Sequence, residues 1–323
     1  MTGGYKDMKI KNFPTLWFPP LTYYKEGGVI DTDKMAFELS KIYPYSKGVL
    51  VPGSTGDGWV LSQEKQEALV RFFLKGFDFG RFSMMIGALK PTADETIQSI
   101  AGWCEILREE SGKSDAAEAM AALDVKAFVF CVPAGLDAKE AQLKEMGRIL
   151  DVGLPMAFYQ LPLVTGVTVD PAVVAELADK HANLIVAKDS GGADEMAKSG
   201  LLKDRLMLLR GAEGDQTEMV TGSSPIYDGL LLSTVNCFAR EHSELMQGKR
   251  DYSGYGDVIS EVFAAVAEPV SNPFSDAVRA ICYAKEYGPE AAKMDIYCYN
   301  GKKLPPELTA EAAASLRCNL QQS

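Results

Sequence analysis

The even spacing of short apolar runs is what most constrains this chain. They span residues 15–19, 48–52, 83–89, 126–132, 155–159, 184–188, 206–210 and 229–232. Each is bounded by turn residues, as buried strands of a parallel sheet are. Between them lie amphipathic helical patterns. One covers 32–42, with Asp31 or Thr32 as its cap. Another starts after Ser62 with Gln63 and Glu64 and carries Leu69, Phe72 and Phe73 on one face. Others open near Thr92, cover 138–150 and 171–180, follow the sixth run, and start near Asp215. Asp170 followed by Pro171 is a helix start, since proline at the first helical position loses no needed N–H.

Strands alternating with helices imply parallel pairing through helical crossovers. Eight such units predict a (β/α)8 TIM barrel over residues 10–250, with residues 251–323 as a C-terminal helical extension. A doubly wound sheet is the alternative, and the even length of the units favours the barrel. Residues 109–122 are longer than a simple unit needs, and Ser111-Gly112-Lys113-Ser114-Asp115 marks a break with extra helical turns.

Composition narrows the function. The net charge of −11 argues against a nucleic-acid surface, which needs a basic stripe. The first eleven residues lack the apolar core of a signal peptide, and no apolar run approaches the roughly 18 residues of a membrane span. A cytoplasmic protein is expected. Cys104, Cys131, Cys237, Cys282, Cys298 and Cys318 are scattered without a CxxC and are read as reduced thiols. His181 and His242 sit in no ligand-like cluster, so an imidazole metal site is not expected. His181 reads as a helix-end residue.

In a barrel, catalytic groups sit at the C-terminal ends of strands. Three ends are chemically conspicuous: the glycine-rich 53–58 loop after the second strand, Tyr159 after the fifth, and Lys188 after the sixth. Leu184-Ile185-Val186-Ala187 runs straight into Lys188, and Leu184 and Val186 are expected to alternate inward with it. A lysine among apolar neighbours suits imine chemistry, because burial favours the neutral amine. The plainer reading is a buried stem with its ammonium in water. Read alone, Tyr159 is a packing residue and Gly53-Ser54-Thr55-Gly56 a turn. One βα unit separates Tyr159 from Lys188, so the two face one mouth from neighbouring strands. Cys131, at the end of the fourth strand, is expected to be buried and inert.

Three motifs together resemble the dihydrodipicolinate synthase / N-acetylneuraminate lyase family of pyruvate-handling class I aldolases. Gly53-Ser54-Thr55-Gly56-Asp57 is similar to its GxTGE loop. Tyr159-Gln160-Leu161-Pro162 followed by Thr165-Gly166 resembles its Y-N-x-P-x-x-[ST]-G stretch. Ala187-Lys188-Asp189-Ser190-Gly191 resembles its G-x-K-[DE]-[ST] strand. The resemblance implies that Lys188 forms an imine with a 2-oxo acid and that Tyr159 is the acid/base. It implies that Ser54 and Thr55 hold the substrate carboxylate and that Ser54 relays the tyrosine proton. Gly53 lets the backbone approach, and Gly211 and Leu231 surround the bound acid. It further implies a small-molecule 2-oxo acid as partner, no metal or cofactor, and a homo-oligomer, tetramer or dimer.

The chain also departs from the pattern. Asp57 replaces the usual Glu and Gln160 the usual Asn. Val164 stands where the synthase branch carries an arginine, and Val132-Pro133-Ala134-Gly135-Leu136 lacks that branch's tyrosine. These departures point to a lyase cleaving a 2-keto-3-deoxy sugar acid or 4-hydroxy-2-oxo acid to pyruvate and an aldehyde. Alternatives are dihydrodipicolinate synthesis, dehydration through the same imine, and a barrel that only binds ligands.

Overall fold

A computed structural model describes residues 12–214, 216–250 and 255–320. The leader reading of residues 1–11, the helix start at Asp215 and the boundary at 251 lie outside the described residues.

Eight parallel strands close into a barrel. β1 (Leu16–Phe18) is followed by a small antiparallel hairpin, β2 (Tyr24–Lys25) and β3 (Val29–Ile30), which the sequence pattern does not announce. The other barrel strands are β4 (Gly48–Val51), β5 (Ser83–Gly87), β6 (Val125–Cys131), β7 (Met156–Gln160), β8 (Leu184–Asp189), β9 (Met207–Arg210) and β10 (Gly229–Leu231). Their closed order is β1-β10-β9-β8-β7-β6-β5-β4, so the fold is a (β/α)8 TIM barrel.

Helices cover the outside where the caps predict. α1 (Thr32–Ile42), α2 (Gln63–Leu74) and α3 (Ala93–Ser111) begin at Asp31, Ser62 and Thr92, each of whose side chains accepts a backbone N–H of the first turn. α3 stops at Gly112, and a separate α4 (Ala116–Ala122) fills the long fourth unit. α5 (Lys139–Leu150), α6 (Pro162–Thr165) and α7 (Pro171–Lys180) follow. After β8 the helix is a single turn, α8 (Glu195–Lys198). Then come α9 (Gln216–Thr221), α10 (Val235–Met246), α11 (Tyr255–Ala264), α12 (Pro273–Tyr287) and α13 (Pro306–Leu320). No helix among the described residues is long and apolar enough to cross a membrane.

Two apolar clusters form the core. One lies between strands and helices, and the other fills the barrel with Trp17, Leu50, Met85, Val129, Val186, Leu209 and others. The inward alternation expected at Leu184 does not occur. Register shifts between Met156 and Ala157, so β8 carries an extra residue at this step. Ile185 and Val186 therefore join the barrel interior, while Leu184 packs with the outer cluster.

Candidate active site

The loop after β4 is built to be rigid. Its 3-10 turn (Ser54–Gly56) is followed by Asp57 in the left-handed region, φ 65°, a conformation that short polar side chains tolerate. The N–H groups of Gly56 and Gly58 both return to Gly53 O, at 3.1 and 2.9 Å. Gly53 is required by space, because a β-carbon there would lie 2.7 Å from Pro19 Cβ.

Asp57 anchors the loop from beneath. Its carboxylate is fully buried and accepts from Tyr24 OH at 2.9 Å and Arg279 Nη2 at 2.9 Å. Ser271 Oγ donates to its other oxygen. Arg279 also donates to Asp276 Oδ1 at 3.2 Å and to Thr22 O at 3.2 Å. Burial pushes the Asp276 carboxyl up, and Arg279 pulls against it. The start of α12 grips the loop from the side. Asn272 Nδ2 donates to Ser54 O at 3.1 Å, and Ser275 Oγ donates to Thr55 O at 2.9 Å. The shorter acid at position 57 thus still supports the loop, through partners drawn from the hairpin and α12.

The side chains of the loop are fixed as well. Thr55 Oγ1 and Ser233 Oγ share a hydrogen bond of 2.6 Å. Ser54 Oγ accepts from Trp59 Nε1 at 3.0 Å, and no direct hydrogen bond joins it to Tyr159.

On the opposite wall, Tyr159 of β7 and Lys188 of β8 are register partners. Both are buried, at 3% and 5% exposure, and Lys188 Nζ lies 3.9 Å from the Tyr159 ring centroid. Such proximity joins an amine to an aromatic face in a water-poor space. Both residues lie inside their strands rather than after them. Gly211 passes directly against Lys188 and Ser190, and its N–H donates to Asp189 O at 2.7 Å. Leu231 is buried in the barrel interior beside Trp17. Cys131 pairs in register with Tyr159, and burial pushes its thiol up to about 12 while the Lys188 charge pulls the other way.

A buried polar network sets the ends of β8 and β9. Asp189 accepts from Gly191 N at 2.9 Å and Tyr227 OH at 3.1 Å. Arg210 Nε donates to Asp194 Oδ1 at 2.8 Å. Burial opposes ionisation of Asp194, but hydrogen bonds from Arg210 and Tyr227 outweigh it and hold the carboxyl below its usual range. Gln160 pairs with the backbone of Val169, donating at 3.0 Å and accepting at 3.2 Å, and so ties the α6 loop to the end of β7.

Sequence reasoning missed Trp59, Glu213 and Arg279. Glu213 follows β9, and its carboxylate accepts from Thr234 N at 3.1 Å and Thr234 Oγ1 at 2.6 Å. Burial pushes its carboxyl up, while the Thr234 hydrogen bonds and the Lys188 charge pull it down. Thr234 Oγ1 also lies 2.8 Å from Nε2 of the fully buried His242. The threonine's one hydrogen goes to Glu213, so His242 donates from Nε2. A tryptophan inside a glycine-rich strand-end loop was a usable signal for Trp59. Arg279 had none, being 222 residues from Asp57. Among the described residues no group of three or more His, Cys, Asp or Glu has metal-site geometry.

Comparison with known proteins finds chains similar in sequence and in fold. No family model matches the chain. A 4-hydroxy-tetrahydrodipicolinate synthase of Ligilactobacillus salivarius is 28% identical over 156 residues, and the match spans about half of that relative, 47% of each chain. YagE of Escherichia coli (strain K12), provisionally assigned as a 2-dehydro-3-deoxy-D-gluconate aldolase, is 28% identical over 218 residues, 66% of this chain and 65% of YagE. The crystal structure of YagE in complex with pyruvate superposes with a TM-score of 0.69 at 17% identity, covering 95% of this chain and 98% of that one. CdNal from Clostridium difficile, in complex with mannosamine, superposes with a TM-score of 0.68 at 15% identity over 96% and 100% of the chains.

In barrel fold and in sequence the chain is thus similar to proteins that carry synthase and aldolase names. Among them are a dihydrodipicolinate synthase and an N-acetylneuraminate lyase-like protein, the family whose motifs the three strand-end stretches resemble.

Proposed function

We propose that this protein is a Schiff-base-forming lyase that cleaves a 2-keto-3-deoxy sugar acid or related 4-hydroxy-2-oxo acid into pyruvate and an aldehyde. The observation that carries the reading is the register pairing of Tyr159 with Lys188, with the amine 3.9 Å from the ring centroid. Lys188 attacks the ketone, and loss of water leaves a protonated imine. Tyr159 takes the proton of the substrate's C4 hydroxyl. The C3–C4 bond then breaks, its electron pair passing to the imine nitrogen, and the aldehyde leaves. The enamine regains a proton at C3, and water releases pyruvate and the free amine.

Ser54 and Thr55 hold the substrate carboxylate in this reading, and Ser54 passes a proton between Tyr159 and the substrate. Gly53 and Gly211 keep the backbone close to the bound acid, and Leu231 supplies an apolar wall. The imine is the electron sink, so the reaction asks for no metal or cofactor. The apolar Val164, 47% exposed on α6, suits a neutral polyol chain better than a second carboxylate.

The name of the Ligilactobacillus relative favours a rival use of the same imine, condensation of pyruvate with aspartate semialdehyde. A panel of 2-keto-3-deoxy acids, assayed for pyruvate release beside pyruvate plus aspartate semialdehyde, separates the two. Pyruvate released from at least one 2-keto-3-deoxy acid is the expected result. Turnover of aspartate semialdehyde alone contradicts it.

A further inference from the structure

Trp59 is a large aromatic residue in the hydrogen-bonded loop after β4. Three residues of that loop are pinned by α12 and by the hairpin, through Ser54 O, Thr55 O and the Asp57 carboxylate. Trp59 follows within two residues of Asp57, and the N–H of Val60 and of Leu61 return to Asp57 O at 3.0 Å each. The indole is therefore carried on a fixed backbone. Its ring is half-buried and packs against the barrel-interior cluster. That cluster draws on several barrel strands, with Leu50 from β4, Met85 from β5, Cys131 from β6 and Tyr159 from β7. Trp59 thus joins the loop after β4 to the apolar interior of the barrel.

Its N–H has one acceptor, Ser54 Oγ at 3.0 Å. A serine hydroxyl has one hydrogen and two acceptor sites. With one acceptor site taken by the indole and the Ser54 carbonyl held by Asn272, the serine can neither move nor rotate freely. Its hydrogen is left for a further acceptor. A plain packing role would leave the indole N–H to water or to any carbonyl. Here it is spent on the side chain proposed to meet the substrate carboxylate.

We propose that Trp59 is a positioning residue for the reaction. Its indole N–H orients Ser54 toward the bound 2-oxo acid, and its ring is held against the apolar interior of the barrel. This rests on the Schiff-base reading of Lys188 and adds to it the residue that presets the carboxylate-binding hydroxyl.

The test needs only pyruvate, in deuterium oxide. Exchange of the pyruvate methyl protons, followed by NMR, reports the imine–enamine step without the unknown aldehyde. Trp59→Phe keeps a ring and removes the donor. Benzothienylalanine placed at position 59 keeps the indole shape and replaces N–H by sulfur, so that a folding defect in the phenylalanine variant is bypassed. Both should slow exchange about tenfold, the order of one hydrogen bond, while borohydride still traps pyruvate on Lys188. In a Ser54→Ala background the change at position 59 should add nothing, since residues acting through one contact are not additive. Unchanged exchange in the sulfur analogue, or losses that multiply with Ser54→Ala, overturns the positioning role. Failure of the unaltered protein to trap or exchange pyruvate instead overturns the Schiff-base reading beneath it.

Discussion

Lys188 and Gly211 occupy complementary space at the barrel mouth. A β-carbon built on Gly211 would lie 2.6 Å from Lys188 Cε and would also clash with Ser190 Oγ. Such an approach forces one neighbour to move, and the lysine stem is the flexible one. Gly211→Ala should leave the barrel folded and lower the rate of pyruvate trapping on Lys188 at least tenfold. Far-UV circular dichroism checks the fold, and mass spectrometry after borohydride checks the trapping. Normal trapping in a folded variant would show that Lys188 does not need this space.

Arg279 stands between two buried carboxylates, Asp57 at 2.9 Å and Asp276 at 3.2 Å. Removing one partner of a buried pair costs about 3–5 kcal/mol, because a charge is stranded. Arg279→Met strands two carboxylates, whereas Asp57→Asn leaves the arginine paired with Asp276. Urea unfolding should therefore rank the unaltered protein above Asp57→Asn and both above Arg279→Met. A methionine variant as stable as the unaltered protein would remove Arg279 from the support of the loop.

Burial, with the Lys285 charge adding to it, lowers the pKa of His242 from 6.5 to about 3. The unfolded chain takes up a proton below pH 6.5, and the folded chain does not until about pH 3. Stability from this group is complete above pH 6.5 and is lost as the pH falls toward 3. The slope approaches about 1.4 kcal/mol per pH unit. Comparing unfolding at pH 7 and pH 5 with His242→Gln should show a flatter dependence in the variant. Equal slopes would mean that His242 is not the neutral buried group described.

Cys131 lies beside Tyr159 in the register of β6 and β7, yet burial raises its thiol to about 12. At pH 8 it should resist iodoacetamide in the folded protein, while the exposed Cys318 reacts. Peptide mapping reads both sites at once. Rapid alkylation of Cys131 would reveal an open path to the chamber and a lowered thiol.

Much of this arrangement was legible in the sequence because barrel topology converts order into adjacency. Once the strands alternate with helices, Tyr159 and Lys188 must stand on neighbouring strands, and they do. What escaped depends on contacts that order does not encode. The extra residue of β8 at Ile185 turns Leu184 outward, and no periodicity in a continuous apolar run reveals it. The support of Asp57 comes from Arg279 in the C-terminal helices and Tyr24 in a two-residue strand. The single-turn α8 gives way to a network around Asp194, which adopts a left-handed backbone at φ 58°. Trp59 was visible as a tryptophan in a glycine-rich strand-end loop, but what its N–H does depends on Ser54 Oγ as acceptor, which order alone does not give.

The most direct measurement is borohydride reduction with pyruvate, followed by peptide mass spectrometry. The expected result is one reduced pyruvate adduct on the peptide containing Lys188, absent without pyruvate and absent in Lys188→Ala. An unmodified Lys188, or an adduct on another lysine, would contradict the Schiff-base account.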